Sequence, residues 1–446
     1  MTDVQIYTTM AVFGVVILAI AFDLIDMAVA ALLGVSVLFG FNILVEDDVI
    51  EAVKTAGGPL ALLFGGMVVA RTLAGTGIFD RIGTMYLRAT KGSGKRFLLL
   101  LIALVAPLCA FLPNATTVIL LAPIIIRVAV ALEIDFVGPM IVTAIVSNSA
   151  GLLTLVGDPA TFLVGNSIGM SFGQYLHKVS LGGLLSLLAV IPLLPILMPD
   201  LWRLQRPLPR HASDKPFQRP WFALLSLAVL AIMVGLFLVG EDLPVPIGPP
   251  AVAIIAASLA LLVIYSVKVE PVDNVLRDID WKTLVFLGCI FFLVQAITKT
   301  GLLQNFSLKL YEWFGTEFTL AALTLIAGIG LLSSLLANVP VVAASILMVK
   351  GYLVAVEAVS EAALGPHFTD WPAATIPVFV AMMFGATLGG NATMIGASAN
   401  IVSVGICAQN GKPVTFVRWL RYGLLFTACQ LAVSALYVIA LFHFSR

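Results

Sequence analysis

Along this chain apolar residues run in blocks, separated by charged turns or Gly/Pro clusters. The blocks fall roughly at 5–22, 26–44, 57–76, 97–132, 137–169, 179–199, 221–239, 248–266, 281–300, 319–355, 374–408 and 419–442. A membrane-spanning helix needs about 20 mostly apolar residues, and most blocks have that length. Four do not. The blocks 97–132, 137–169, 319–355 and 374–408 are too long for one straight span and carry polar, Gly or Pro residues midway. Backbone that leaves the helix at membrane depth survives only where protein or a water-filled cavity satisfies its polar groups. The pattern predicts an all-α polytopic membrane protein whose pathway lies in those four interrupted segments. The short amphipathic stretch Asp47–Val53 reads as an interfacial helix ahead of the third span, and Asp23 and Asp26 as an interfacial cap.

Charge sets the orientation. Arg81, Arg88, Lys91, Lys95 and Arg96 crowd one loop, and Arg203, Arg206, Arg210, Lys215 and Arg219 another. Lys268, Arg277 and Lys282 mark a third, and Lys412, Arg418 and Arg421 a fourth. The loops between them are acidic or neutral, with Glu46, Asp47, Asp48 and Glu51 in one and Glu241 and Asp242 in another. Basic loops belong in the cytoplasm. That assignment closes only if 97–132 and 319–355 are hairpins that enter and leave on one side. Ten full spans and two re-entrant hairpins result, both termini lie outside, and a bacterial inner membrane is the expected location. No Lys or Arg precedes the first block, so it is expected to stay as a membrane helix rather than act as a signal peptide.

The chain also repeats itself at an offset near 224 residues. Thr76-Gly77-Ile78-Phe79 answers to Thr300-Gly301-Leu302-Leu303, and Leu112-Pro113-Asn114 to Leu336-Ala337-Asn338. Past a 15-residue insertion at 356–373, Gly151-Leu152-Leu153-Thr154-Leu155-Val156-Gly157 answers to Gly390-Asn391-Ala392-Thr393-Met394-Ile395-Gly396. Chance likeness of apolar helices does not hold one offset across separate landmarks. An odd number of spans per half turns the halves upside down. The expected organisation is a first inverted repeat at 1–199 (hairpin 97–132, broken helix 137–169), a cytoplasmic linker at 200–220, and a second repeat at 221–446 (hairpin 319–355, broken helix 374–408). Inverted repeats supply two related conformations around midplane sites on broken helices.

Four polar islands interrupt these segments. They hold Asn114, Thr116 and Thr117; Asn148, Ser149, Thr154 and Asp158; Asn338; and Asn391, Thr393, Ser398 and Asn400. Hydroxyls, amides and unwound carbonyls can coordinate a small cation, and half-helix N-termini offer N–H donors to an anion or a neutral polyol. The bland alternative is that such residues glue helices together. Asp158 is the sharpest single residue, because a carboxylate within the membrane is costly unless neutral, paired or bound to a cation. Proton and cation could compete for it, which suits a coupling residue; its plainer role is a helix cap. Its symmetry mate is Ala397. Arg71 reads as snorkelling to the inner face, and Arg127 as doing the same or countering Asp158.

Composition narrows the class. Apolar residues make up 61% of the 446 residues and charged ones 11%, too apolar for a soluble fold. Zero formal net charge removes a broad electrostatic case for nucleic acid. Cys109, Cys289, Cys407 and Cys429 lack CxxC spacing and read as buried apolar thiols. No paired His, HExxH or nucleophile elbow suggests an enzyme, no metal or cofactor is expected, and a channel would not need hairpins.

At these islands the sequence resembles the ion-transporter superfamily, specifically its arsenite permease and NhaD-type antiporter branch, which includes the melanosomal P protein and, more distantly, dicarboxylate and sulfate symporters. The likeness rests on Asn-Ala-Thr-Thr at 114–117, Gly-x-x-Thr-x-x-Gly-Asp-Pro at 151–159 and Gly-Gly-Asn-Ala-Thr-x-Ile-Gly-x-x-x-Asn at 389–400. It implies an elevator-type mechanism. It further implies proton-coupled efflux of arsenite or antimonite, with sodium/proton antiport next and a sodium-coupled dicarboxylate or sulfate symporter third. A proton or sodium gradient would drive it. A soluble arsenical ATPase is the partner this branch allows beside the lipid bilayer, with monomer and dimer both open. Two departures, Asn338-Val339-Pro340 without a following hydroxyl and Gly396-Ala397-Ser398 without Gly-x-Pro, weaken the dicarboxylate reading.

Overall fold

A computed structural model describes residues 2–21, 24–207, 219–365 and 368–444. Asp23, Arg210, Lys215 and residues 208–218 of the expected linker lie outside the described residues. Within them every extended element is helical, and eleven helices are long and apolar enough to cross a membrane.

Both hairpins form where the block lengths require them. The first consists of Gly94–Cys109 and Asn114–Ala131, the second of Phe318–Leu335 and Asn338–Ala355. Each closes at its base. Gly94 N donates to Leu204 O at 3.0 Å, Arg206 N to Gly92 O at 2.9 Å, and the Arg206 guanidinium pairs with Glu133. Across the second hairpin, the Tyr352 hydroxyl donates to Gly315 O at 2.8 Å. The chain therefore enters and leaves each hairpin on one side. The two broken helices are Val137–Ala150 with Pro159–Ser167, and Ile376–Gly389 with Ser398–Gln409. The repeat is kept at the level of helix ends. Starts at 94 and 318, starts at 114 and 338, and ends at 131 and 355 are all 224 apart; the broken-helix pairs 137/376, 150/389 and 159/398 are all 239 apart.

Charged side chains sort to two faces. On one, Arg71 clamps Glu270 through both terminal nitrogens (3.1 and 3.0 Å) and Asp278 through Nε (2.8 Å). Lys412 and Arg418 hold Asp135 at 3.0 and 2.5 Å, and Lys282 pairs with Asp26. Burial pulls the Asp135 carboxyl up, but these two cations outweigh it and leave it below its ordinary value. On the other face Lys299 pairs with Asp48 at 2.7 Å and Gln295 donates to Glu51 at 2.8 Å. Every contact joins loops that the basic-loop rule puts on the same side. Asp26 also caps its helix as expected, accepting from Ala28 N at 2.9 Å.

One expectation needs correction, and three gain detail. The interfacial helix and third span are one continuous 29-residue helix, Glu46–Ala74, about 44 Å long at 1.5 Å per residue, so its acidic first turns project past the apolar layer. Arg71 does not snorkel alone; it is fully engaged by two carboxylates. Arg127 meets Asp80 at 2.8 Å rather than Asp158. The block at 179–199 is interrupted, with Ser180–Leu188 followed by short turns at Ile191–Leu193 and Leu194–Leu197, where Pro192 and Pro195 each remove an N–H donor.

Two amphipathic helices were absent from the apolar pattern. Ile78–Thr90 and Leu302–Phe314 each start after a left-handed glycine, Gly77 (φ 73°) or Gly301 (φ 76°). The first rests on hairpin one, where the Tyr86 hydroxyl donates to Phe97 O at 2.6 Å; the second rests on hairpin two, where the Ser307 hydroxyl donates to Met348 O at 2.9 Å.

The helices gather into two groups. Asp3–Ala21, Met27–Gly40, Glu46–Ala74, Pro220–Val239, Pro249–Val267 and Trp281–Lys299 pack mainly on one another, and the hairpins, broken helices and Phe416–Phe444 form the second group. The ion pairs named above stay within one group or tie it to its own loops. Between groups the contacts are mostly apolar, such as Pro113 against Gly66 and Phe162 against Gly58, and at their margin Phe172 N donates to Glu241 at 2.8 Å.

Candidate functional site

The Gly-x-x-Thr-x-x-Gly motif builds the same break twice. Gly151 and Gly390 share φ −57° and ψ −21°, and Asp158 (φ −144°, ψ 139°) and Ala397 (φ −147°, ψ 149°) open the next helix in the same extended conformation. The threonine of each motif pins its unwound segment to a hairpin: Thr154 donates to Ala110 O, and Thr393 to Ser334 O. Alanine at the closing glycine would not fit. A Cβ on Gly157 would sit 2.7 Å from Gly151 O, and one on Gly396 2.5 Å from Gly390 O. The sequence repeats because the backbone crossing repeats.

Chemistry then departs from symmetry. Asp158 Oδ1 accepts from Ala160 N at 2.8 Å, the N-cap bond of the second half-helix. Oδ2 accepts from Asn114 Nδ2 at 2.9 Å, and Asn338 Nδ2 lies 3.3 and 3.4 Å from the two oxygens. Both hairpin tips thus converge on one carboxylate, with Asp158 only 5% exposed. By symmetry Asn338 would serve position 397, but alanine has nothing to accept its amide, and it reaches across instead. The cap and coupling readings of Asp158 describe one geometry: one oxygen caps the helix while the other faces the tips.

Among the described residues no basic side chain bonds to this carboxylate, and one acceptor beside it is unused. Asn114 Oδ1 is buried without a hydrogen-bond partner, while the buried hydroxyls of Thr117 and Thr161 lie beside Cys109 and Tyr175. Thr116 is half-buried. Burial opposes the charge, whereas three N–H donors and a helix N-terminus favour it. A proton on Oδ2, or a small cation between the carboxylate and a rotated Asn114 amide, each satisfies the site chemically. A narrow, mostly apolar crevice opens beside it at Pro113, Gly157 and Pro159, faced by Leu63, Gly66 and Met233 of the other helix group.

The remaining expected site residues lie elsewhere. Asn148 Nδ2 donates to Asn391 Oδ1 and Asn400 Oδ1, both at 2.9 Å. Asn391 Nδ2 donates to Gln430 Oε1 at 2.9 Å and Ser149 Oγ at 3.3 Å, and Gln430 Nε2 donates to Ser149 Oγ at 2.7 Å. Asn400 Nδ2 closes on Gly390 O and Thr393 O at 2.9 and 2.8 Å. The four island residues in this buried network spend their amides and hydroxyls on one another, on Gln430 and on backbone carbonyls, which is the helix-gluing role. Ser398 begins the last half-helix and is exposed.

Sequence reasoning missed Gln430, an amide alone in the last apolar block. It also missed Tyr175, whose buried hydroxyl donates to the freed Leu152 carbonyl at 3.0 Å, and the buried Lys350, which donates to Gly365 O at 3.3 Å beneath the 356–373 insertion. Cys109, Cys289 and Cys407 are buried and unbridged, with Cys429 partly buried. Among the described residues no group of His, Cys, Asp or Glu could hold a metal ion.

Known proteins resemble the chain over most of its length. The family described as citrate transporters matches residues 16–366. An uncharacterized transporter of Synechocystis is 42% identical over 434 residues, covering 96% of each chain. An uncharacterized transporter of Mycobacterium tuberculosis is 28% identical, covering 96% of each. The human P protein is 25% identical, covering 98% of this chain and 60% of that one. The crystal structure of the YdaH transporter of Alcanivorax borkumensis, described as having an unusual topology, matches with a TM-score of 0.55 at 12% identity, covering 89% of this chain and 87% of that one.

Proposed function

We propose that this chain, which belongs to the citrate transporter family, is a proton-coupled efflux transporter for small uncharged hydroxides such as arsenite and antimonite, with Asp158 as the coupling residue. The observation that carries this reading is the convergence of Asn114 and Asn338 on a buried carboxylate to which, among the described residues, no basic side chain bonds. A free multivalent anion would need cationic or paired donors in such a site; a neutral trihydroxide needs only amides, hydroxyls and one proton acceptor. Hydroxyls of the cargo donate to the deprotonated Asp158 carboxylate in place of the two Asn amides, which turn to the cargo's oxygens. Protonation of Asp158 from the outer face removes that acceptor and releases the cargo, so proton and cargo occupy the site in alternation. Movement of the hairpin group along its apolar seam with the other helices would carry the site from one face to the other, and the bacterial inner membrane supplies the proton gradient.

A second reading has its own observation. The orphaned Asn114 Oδ1 beside the carboxylate suits sodium, which would make the chain a sodium/proton antiporter. Complementation separates the two: rescue of an arsenite-sensitive strain but not a sodium-sensitive one supports efflux of the hydroxide, and the reverse supports antiport. In everted vesicles, uptake should saturate and collapse with a protonophore. Uptake indifferent to the protonophore would remove proton coupling altogether.

A further inference from the structure

The two amphipathic connectors occupy corresponding places in the repeat, yet their outer faces carry opposite chemistry. On Leu302–Phe314 the exposed residues include Phe306, Tyr311 and Trp313, and the charges are limited to Lys309 and Glu312. Ile78–Thr90 exposes Arg81 and Arg88, the turn after it Lys91, and the first turn of the hairpin arm Gly94–Cys109 Lys95 and Arg96. Asp80 on this helix is engaged by Arg127, and Glu133 at the base of the hairpin by Arg206. Lys91 ends the helix in the left-handed conformation (φ 48°), and Lys95 Nζ lies 5.3 Å from the centre of the Trp202 ring. Trp202 and the cations at 91–96 therefore form one patch, because Gln205 Nε2 donates to Lys91 O at 3.0 Å and Gly94 N to Leu204 O at 3.0 Å, with exposed Met85 on the preceding helix. The buried side of the connector is fixed to hairpin one through Gly83 against Ile124 and Tyr86 against Phe97.

We infer that the junction of this connector with the first arm of hairpin one is a docking surface for anionic phospholipid headgroups of the inner leaflet, seated at Lys91, Lys95 and Arg96. Charge complementarity carries the assignment: a compact cationic patch beside a tryptophan, at the level where the basic loops meet the membrane, fits phosphate headgroups over a ring at the interface. The outer connector, with exposed aromatics and balanced charge, is built as an interfacial anchor without headgroup preference. Because the inner connector rests on the hairpin that bears Asn114, a bound headgroup holds the tip's own support to the leaflet. This inference stands apart from the transported cargo.

The test uses the whole protein in nanodiscs of phosphatidylcholine alone or with three-tenths phosphatidylglycerol. Acylation of Lys91 and Lys95 by a water-soluble amine reagent is read by mass spectrometry against Lys309 of the outer connector. Phosphatidylglycerol should slow labelling of Lys91 and Lys95 at least fivefold, leave Lys309 unchanged, and lose its effect in high salt. Each basic residue near an anionic surface contributes about a fivefold factor in binding. The Lys91→Asn/Lys95→Gln/Arg96→Gln variant should thus retain phosphatidylglycerol roughly a hundredfold more weakly by native mass spectrometry, with an unchanged melting temperature in phosphatidylcholine. The milder Lys95→Gln alone should give about a fivefold loss, which keeps the test open should the triple variant fail to fold. Equal labelling in both lipids, or equal retention by both variants, overturns the inference. Protection seen in intact cells but not in phosphatidylglycerol nanodiscs would assign the patch to a soluble acidic partner and overturn it equally.

Discussion

The two helix breaks are built on one backbone plan and do different work. Gly151–Asp158 and Gly390–Ala397 share dihedral angles, a threonine pinned to a hairpin and a glycine that no side chain could replace. The first break then places a carboxylate where both hairpin tips can reach it. The second places a methyl group there and uses its asparagines to hold the two broken helices and the last helix together. The repeat thus holds two equivalent cradles, one carrying the carboxylate that the proposed function uses and the other a clasp. The lesson is that symmetry of backbone predicts where chemistry can be, and side-chain inventory decides in which copy it is.

The sharpest way to break this comparison is Asp158→Asn. The amide keeps one cap bond and the shape but cannot carry a proton or bind a cation as strongly. Gradient-driven uptake in everted vesicles should fall by at least about a hundredfold, as for loss of a positioned proton carrier, with the melting temperature kept within a few degrees. Wild-type coupling in this variant would take Asp158 out of the mechanism. Next comes Ala397→Asp, which sets a carboxylate in the second cradle, 3% exposed at present. An unpaired buried charge there should cost several kcal/mol, read as a lower unfolding midpoint, and no gain of transport should follow. A functional second site would contradict the division of labour.

Asn114→Ala and Asn338→Ala sharpen it further. Asn114 makes the shorter bond to Asp158, so its loss should weaken substrate binding by about tenfold or more and that of Asn338 by less, since a hydrogen bond to a charged group is worth about 1.5–3 kcal/mol. Equal effects would mean the tips are interchangeable. Gln430→Leu should do the converse, lowering stability by about 1–3 kcal/mol through orphaned partners while leaving substrate affinity unchanged. Changing all four cysteines to serine should have the smallest effect on transport. Complete loss of activity in that folded variant would revive a thiolate route for arsenite.

Much of this was legible beforehand, and the parts that were not share a cause. Hairpin tips at 114 and 338 and breaks at 151–158 and 390–397 follow from block length, glycine and the repeat, all local signals. Partner choice was not local. Every residue of Val137–Ala150 is buried, so no polar face distinguishes Asn148, which meets Asn391 and Asn400, from a residue aimed at Asp158. Arg127 sits in the same blind spot: its partner Asp80 lies on the amphipathic helix Ile78–Thr90, which an apolar-block reading passes over. The long helix Glu46–Ala74 was divided in two because its charged first turns interrupt the apolar run, although nothing there breaks the backbone.

That both hairpin tips meet a single carboxylate has an electrical consequence. With a neutral cargo and one titrating group, each cycle of the proposed exchange moves one net charge across the membrane, so voltage as well as the proton concentration ratio drives it. One elementary charge crossing 100 mV is worth about 2.3 kcal/mol, enough alone to hold roughly a fiftyfold cargo ratio at 1.4 kcal/mol per decade. A cell that keeps its potential would therefore keep exporting even after its pH gradient has collapsed.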